Sequence, residues 1–261
     1  MLRPVLAILA SVLSLPATAA MVTRTVDYQA GDTALRGTLV YDDAAQAKRP
    51  ALLMVPNWYG VNDAAVKKAA SIAGRDYVVF LADMYGKDLR PADATEAGTA
   101  VKPLYTDRAL MRERVNAGLT ALRGQTGEAP IDPARIAAIG FCFGGSAVLD
   151  LARSGADIAA VIGFHGGLST DDPALAKNIK AAVLVMNGAD DTGPMADAVA
   201  FREEMQQNPS DWEFVVFGHA VHCFTEVGED SPGCRYDAKI AARSYRLMHA
   251  WLDEAFGRPA P

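Results

Sequence analysis

The sequence predicts an α/β protein built on a mostly parallel, doubly wound sheet with an antiparallel N-terminal edge. Three observations carry that expectation. Short, continuous apolar runs recur along the chain at 51–55, 77–81, 135–139, 158–162, 181–186 and 213–217. Strands covered on both faces read as unbroken runs of this kind, not as alternating patterns. Helical patterns separate these runs, and strand–helix alternation favours parallel neighbours. Glycine-rich or polar segments follow the runs at 57–60, 83–87, 140–144, 164–167, 187–191 and 218–222, so these loops should gather on one rim at the carboxyl ends of the strands.

The elements follow in order. Residues 1–20 open with Arg3, continue through an apolar stretch and end in Pro16-Ala17-Thr18-Ala19-Ala20, the pattern of a secretory signal peptide. The apolar stretch is too short to span a membrane, and an exported protein of the bacterial periplasm or medium is expected. Residues 22–28 and 35–41 alternate polar and apolar around Gly31-Asp32, an antiparallel pair at a sheet edge. Helical patterns then cover 63–73, 107–123, 145–153, 195–207 and 238–256. Residues 21–261 should form one domain, close to the upper size of a single core.

Composition narrows the function classes. With 51% hydrophobic and 21% charged residues the chain reads as an ordinary globular enzyme. The net charge of -6 is spread without a basic run, so neither nucleic acid nor an anionic membrane is expected as partner. A small-molecule substrate is expected, and the oligomeric state is left open.

The chemistry concentrates at Gly140-Phe141-Cys142-Phe143-Gly144. An apolar run precedes it and a helix-prone segment follows it, as in a nucleophile elbow, where a strand turns sharply into a helix with the reactive side chain at the apex. Here the apex is Cys142. Gly140, Gly144 and Gly145 provide room for the close approach of strand and helix. The first helix amides, that of Phe143 among them, can face developing negative charge, and the helix N-terminus favours thiolate.

A protonated thiol attacks poorly, so Cys142 needs a base and the base needs an orienting acid. Histidine suits the first role because its proton affinity lies near operating pH. Of the four histidines, His249 falls in the terminal helix, His165 follows a strand and is a pocket candidate, and His219 and His222 share the last loop. His222 is preferred over His219. For the acid, Asp190 and Asp191 compete in the preceding loop, one to hold the imidazole and the other to cap a helix or face water. Asp191 is preferred.

These motifs, with Trp58-Tyr59-Gly60-Val61-Asn62, Asp83-Met84-Tyr85-Gly86, Gly188-Ala189-Asp190-Asp191 and His219-Ala220-Val221-His222-Cys223-Phe224, resemble the dienelactone hydrolase family of the α/β-hydrolase fold across the region after residue 20. The resemblance implies a Cys142, Asp191, His222 triad, with an oxyanion hole from the amides of Phe143 and Trp58. It implies hydrolysis of small carboxylic esters or lactones through a thioester, without metal or organic cofactor. Asn57, Tyr59, Tyr85, Lys87, Phe164 and His165 are the candidate substrate contacts.

Two departures from the family's namesake stand out. Asn57 occupies the place of a glutamate that takes the thiol proton, so His222 must activate Cys142 directly. Lys87 and Val221 occupy the places of two arginines that grip a substrate carboxylate.

Three cysteines in an exported chain leave one unpaired, and assigning that role to Cys142 pairs Cys223 with Cys234 by elimination. Two other readings compete with hydrolysis. One is a non-catalytic carrier that holds a small apolar ligand on the same scaffold. The other, thiol redox chemistry, lacks a Cys-x-x-Cys pair.

Overall fold

The computed structural model describes residues 20–44 and 47–257. The predicted signal segment, except its last residue Ala20, lies outside the described residues. Eight strands form one sheet: β1 (Met21–Ala30), β2 (Thr33–Asp42), β3 (Arg49–Val55), β4 (Val78–Leu81), β5 (Ile131–Phe141), β6 (Ala160–Phe164), β7 (Ala182–Gly188) and β8 (Trp212–Phe217), in the order β1-β2-β4-β3-β5-β6-β7-β8. From β4 to β8 every pairing is parallel, while β1–β2 and β2–β4 are antiparallel. The mostly parallel sheet with its antiparallel edge is the architecture the apolar runs predict.

Side-chain alternation along each central strand separates the core into two layers. In β3, Ala51, Leu53 and Val55 pack toward Met111, Val115 and Val148, whereas Leu52 and Met54 pack toward Ala69, Ile72 and Trp251. Helices α3 (Arg108–Arg123) and α4 (Phe143–Arg153) therefore cover one face of the sheet. Helices α1 (Asp63–Ala73) and α7 (Ala238–Ala255) cover the other. Strand β8 departs from the both-faces-covered expectation: it closes the sheet edge, is buried only at Phe217, and leaves Val216 42% exposed.

Helix boundaries follow caps. Asn62, Asp107 and Asp237 accept from the first amides of α1, α3 and α7. The pattern at 195–207 folds as two pieces, α5 (Thr192–Ala196) and α6 (Ala198–Met205), broken at Asp197. Helix α2 (Ala94–Thr106) goes beyond the sequence expectation, because Gly98 and Pro103 interrupt its helical signal. Asp93 nonetheless accepts from Thr95 and Glu96, and Glu96 reaches back to the Ala92 amide, a reciprocal cap that starts the helix.

A buried ion network fixes α4 from below. Arg153 is 1% exposed, donates to both carboxylate oxygens of Glu204 at 2.8 Å, to Asp150 at 3.0 Å and to the Leu168 carbonyl at 2.9 Å. The helix that starts at Cys142 is thereby pinned to α6 and to the loop after β6.

Candidate active site

Strand β5 ends at Phe141, and α4 begins at Phe143. Between them Cys142 adopts φ 54°, ψ -119°, a conformation that non-glycine residues hold only when their surroundings enforce it. Its amide donates to the Phe164 carbonyl at 3.0 Å, and its carbonyl accepts from Gly145 at 2.9 Å. Close packing explains the glycines: a Cβ on Gly140 would lie 2.0 Å from the Gly144 carbonyl oxygen, and one on Gly144 would lie 2.0 Å from that of Val55. No side chain caps α4, so its first amides remain available to an anion over Cys142.

His222 Nδ1 lies 2.6 Å from Asp191 Oδ2, and the ring is electrostatically coupled to the Cys142 sulfur. Burial pulls the imidazolium down, but the bond to Asp191 and the coupling to Cys142 outweigh it and hold His222 up to about 10. Asp191 stands at the N-cap position of α5 without capping it; its carboxylate turns to the imidazole instead. The alternatives are arranged differently. His219 is fully exposed and 3.9 Å from an exposed Asp190.

Positive φ values outside glycine occur, among the described residues, at Cys142, His165, His219 and Cys223, all in loops on this rim. Backbone strain thus concentrates around the thiol. Cys223 and Cys234 are joined by a disulfide, and the backbone of His222 bridges to Cys234 while its carbonyl accepts from the Arg235 amide at 2.9 Å. The histidine is therefore backed by a cross-linked loop.

The loop after β3 packs against the start of α4, where a Cβ on Gly144 would lie 2.6 Å from the Pro56 carbonyl oxygen. Trp58 has its carbonyl tied to Tyr85 Oη at 2.8 Å, and the Tyr59 amide donates to Asn57 Oδ1 at 3.1 Å. Tyr85 also stacks on Phe143, with ring centroids 5.9 Å apart. Asn57 donates its Nδ2 to Glu226 Oε2 at 3.0 Å. At this position the side chain is a loop brace with a carboxylate brought to it from the histidine loop.

His165 is completely buried. Its Nε2 meets Thr225 Oγ1 at 2.7 Å, and its ring stands edge-on to His222 at 5.0 Å. Burial and the neighbouring cations His222 and Lys68 keep it neutral. It supports His222 from behind and has no surface to offer a substrate.

Two of the candidate contacts have other partners in the fold. Phe164 is fully buried and stacks on Phe141 at 4.6 Å, because β6 is interior and its last residue belongs to the α1/α7-side core. Lys87 is exposed, with its backbone amide on the Ala34 carbonyl and its charge felt by Asp27 on β1.

Three further residues belong to the site without a motif to announce them. Tyr105 lies on α2, edge-on to Phe143 at 5.6 Å; burial and the Cys142 charge contribute to holding its hydroxyl up at about 12. Lys68 on α1 and Glu226, four residues past His222, form a partly buried ion pair. A cavity of about 750 Å³ opens between α1 and α7, lined by Asn57, Tyr59, Lys68, Phe141, Glu226 and Tyr245; none of Cys142, Asp191 and His222 lines it. Among the described residues no group of three or more His, Cys, Asp or Glu is arranged to hold a metal ion.

The model of a family described as the dienelactone hydrolase family matches residues 35–256. A solved dienelactone hydrolase-like promiscuous phosphotriesterase from metagenomic libraries superposes with a TM-score of 0.83 at 37% identity, covering 90% of this chain and 99% of that one. An uncharacterized protein of Caenorhabditis elegans is 34% identical over 56% of this chain and 94% of its own. A Bradyrhizobium protein named "Probable 2-oxo-3-(5-oxofuran-2-ylidene)propanoate lactonase" is 28% identical over 70% of this chain and 76% of its own.

Proposed function

The chain belongs to the dienelactone hydrolase family, and from that premise we propose that it hydrolyses small carboxylic esters or lactones through a thioester on Cys142. The observation that carries this reading is the 2.6 Å contact of His222 with Asp191, on a ring coupled to a Cys142 sulfur that stands at a strained strand–helix apex.

With Nδ1–H donating to Asp191, Nε2 of His222 takes the thiol proton. The thiolate attacks the carbonyl carbon, and the oxyanion settles on the amides of Phe143 and Trp58. The carbonyl re-forms as the C–O bond breaks, and the leaving alkoxide takes the proton from His222. For a lactone the alcohol stays attached to the acyl chain. Water then gives a proton to His222 and attacks the thioester; the acid departs and the proton returns to sulfur. Trp58, Tyr85, Tyr105 and Phe143 give the site an aromatic wall suited to a small, flat acyl group.

A panel of p-nitrophenyl esters, small lactones and one phosphotriester, run on wild type, Cys142→Ala and His222→Ala, tests the reading. Ester or lactone turnover that drops at least about 10³-fold in both variants supports it. Saturable binding without product would favour the carrier instead, and wild-type turnover in Cys142→Ala would end the proposal.

We also place the mature protein, from residue 21 onward, outside the cytoplasm. Support comes from the leader-like residues 1–20 and from the Cys223–Cys234 bridge, a bond uncommon in reducing compartments. Fractionation of a bacterial host with N-terminal sequencing tests it; uncleaved cytosolic protein would contradict it.

A further inference from the structure

Helix α1 and the loop after β3 meet the histidine loop at one carboxylate. Glu226 accepts from Lys68 Nζ, from Asn57 Nδ2 at 3.0 Å and from Thr225 Oγ1 at 3.5 Å. Through Asn57 it braces the loop that carries Trp58, and through Thr225 and His165 it reaches the ring of His222. Lys68 and Glu226 are 16% and 13% exposed, and the ammonium sits 4.2 Å over the ring of Phe141, the residue before Cys142. A buried ion pair is a poor way to gain stability, since packed apolar side chains do as well. What apolar side chains cannot do is set charges beside a sulfur that must ionise.

We propose that the Lys68–Glu226 pair is a positioning element that sets the charge around the Cys142 thiolate, Lys68 acting as a second cation after His222 while Glu226 holds Lys68 and balances it. The inference rests on the reading of Cys142 as the nucleophile. The balance has a chemical purpose: an unopposed cation would make the thiolate plentiful but less nucleophilic, and an unopposed carboxylate would keep the thiol protonated.

The groups that face this pair are few. Cys142 interacts with His222, Lys68, Tyr85 and Tyr105, and the tyrosines are kept protonated chiefly by burial. Lys68 faces Glu226, Cys142 and the neutral His165; burial lowers its own proton affinity, opposed by Glu226 and the thiolate. Tyr245 faces Glu226 from α7, and Lys67, Glu229, Tyr236 and His249 line the same cavity. The charged side chains coupled to the sulfur are therefore His222, backed by Asp191, and Lys68, backed by Glu226.

Iodoacetamide alkylation of Cys142 as a function of pH reads the effect directly, because the other two cysteines are bonded to each other. Lys68→Met should raise the midpoint by about one pH unit, Glu226→Gln should lower it by a similar amount, and the double variant should return close to wild type. Thermal unfolding checks that each variant folds; if Lys68→Met does not, Glu226→Gln and the double variant carry the test. A purely structural pair would move both single variants in the same direction or neither, and either result overturns the proposal. Alkylation does not require turnover, so failure of the hydrolase reading would appear in the ester panel while these opposite shifts persisted.

Discussion

Asp191→Asn removes one oxygen's charge and leaves the shape of the site intact, so it isolates what the carboxylate does for His222. The imidazolium is held up from an ordinary 6.5 to about 10 even though burial alone would lower it. At about 1.4 kcal/mol per pH unit the rise corresponds to about 5 kcal/mol of preference for the charged ring. The hydrogen bond to Asp191 is the largest single contribution that raises it. Losing the carboxylate therefore lowers the population of the thiolate–imidazolium pair. The amide also presents an N–H where the Nδ1 proton points, favouring the wrong tautomer, so the loss in kcat/KM should be about 10²-fold to 10⁴-fold. Initial rates with a p-nitrophenyl ester, with unchanged thermal unfolding as the control, measure it. A variant within fivefold of wild type would refute the argument.

Other expectations follow from the same contacts. Because His222 is raised on folding, its contribution to stability is full below about pH 6.5 and is lost as pH climbs toward about 10. Urea unfolding from pH 6.5 to 10 should show that decline, and His222→Gln should flatten it. Replacing both Cys223 and Cys234 with serine should lower unfolding stability by somewhat under ~3 kcal/mol, and kcat should fall because His222 loses its backing at Cys234. Arg153→Met leaves Glu204 buried without its partner, while Asp150 keeps Arg108, and should cost about 3–5 kcal/mol in denaturant titration, or yield insoluble protein.

Much of this molecule is legible from the chain because its signals are local. The apolar runs of β3, β4 and β6 are buried on both faces, and Gly140, Gly144 and Gly145 stand where no Cβ fits. The loops that end these strands converge because a parallel sheet sends its carboxyl ends to one side. What resists reading is placement decided by tertiary contact. Helix α2 forms through Gly98 and Pro103 because its cap and the packing of Val101 and Leu104 outweigh weak propensity, and it brings Tyr105 to the site. Lys68 follows Lys67 on an amphipathic helix, and only the fold distinguishes the exposed one from the one that meets Glu226. Phe164 and Lys87 illustrate the converse. Both follow or lie near strand ends, yet one is drawn into the core by an interior strand and the other stays exposed, with its amide on the Ala34 carbonyl.

The central claim is a covalent one: the acyl group of the substrate rests on the sulfur of Cys142 before water releases it. Acid quenching during turnover of a slowly hydrolysed p-nitrophenyl ester, followed by intact-mass and peptide mass spectrometry, tests it directly. The account predicts the mass of one acyl group on the peptide that contains Cys142, absent in Cys142→Ala and accumulating in His222→Ala only at alkaline pH. Steady turnover with no adduct on that peptide, or an adduct elsewhere that survives Cys142→Ala, would contradict it.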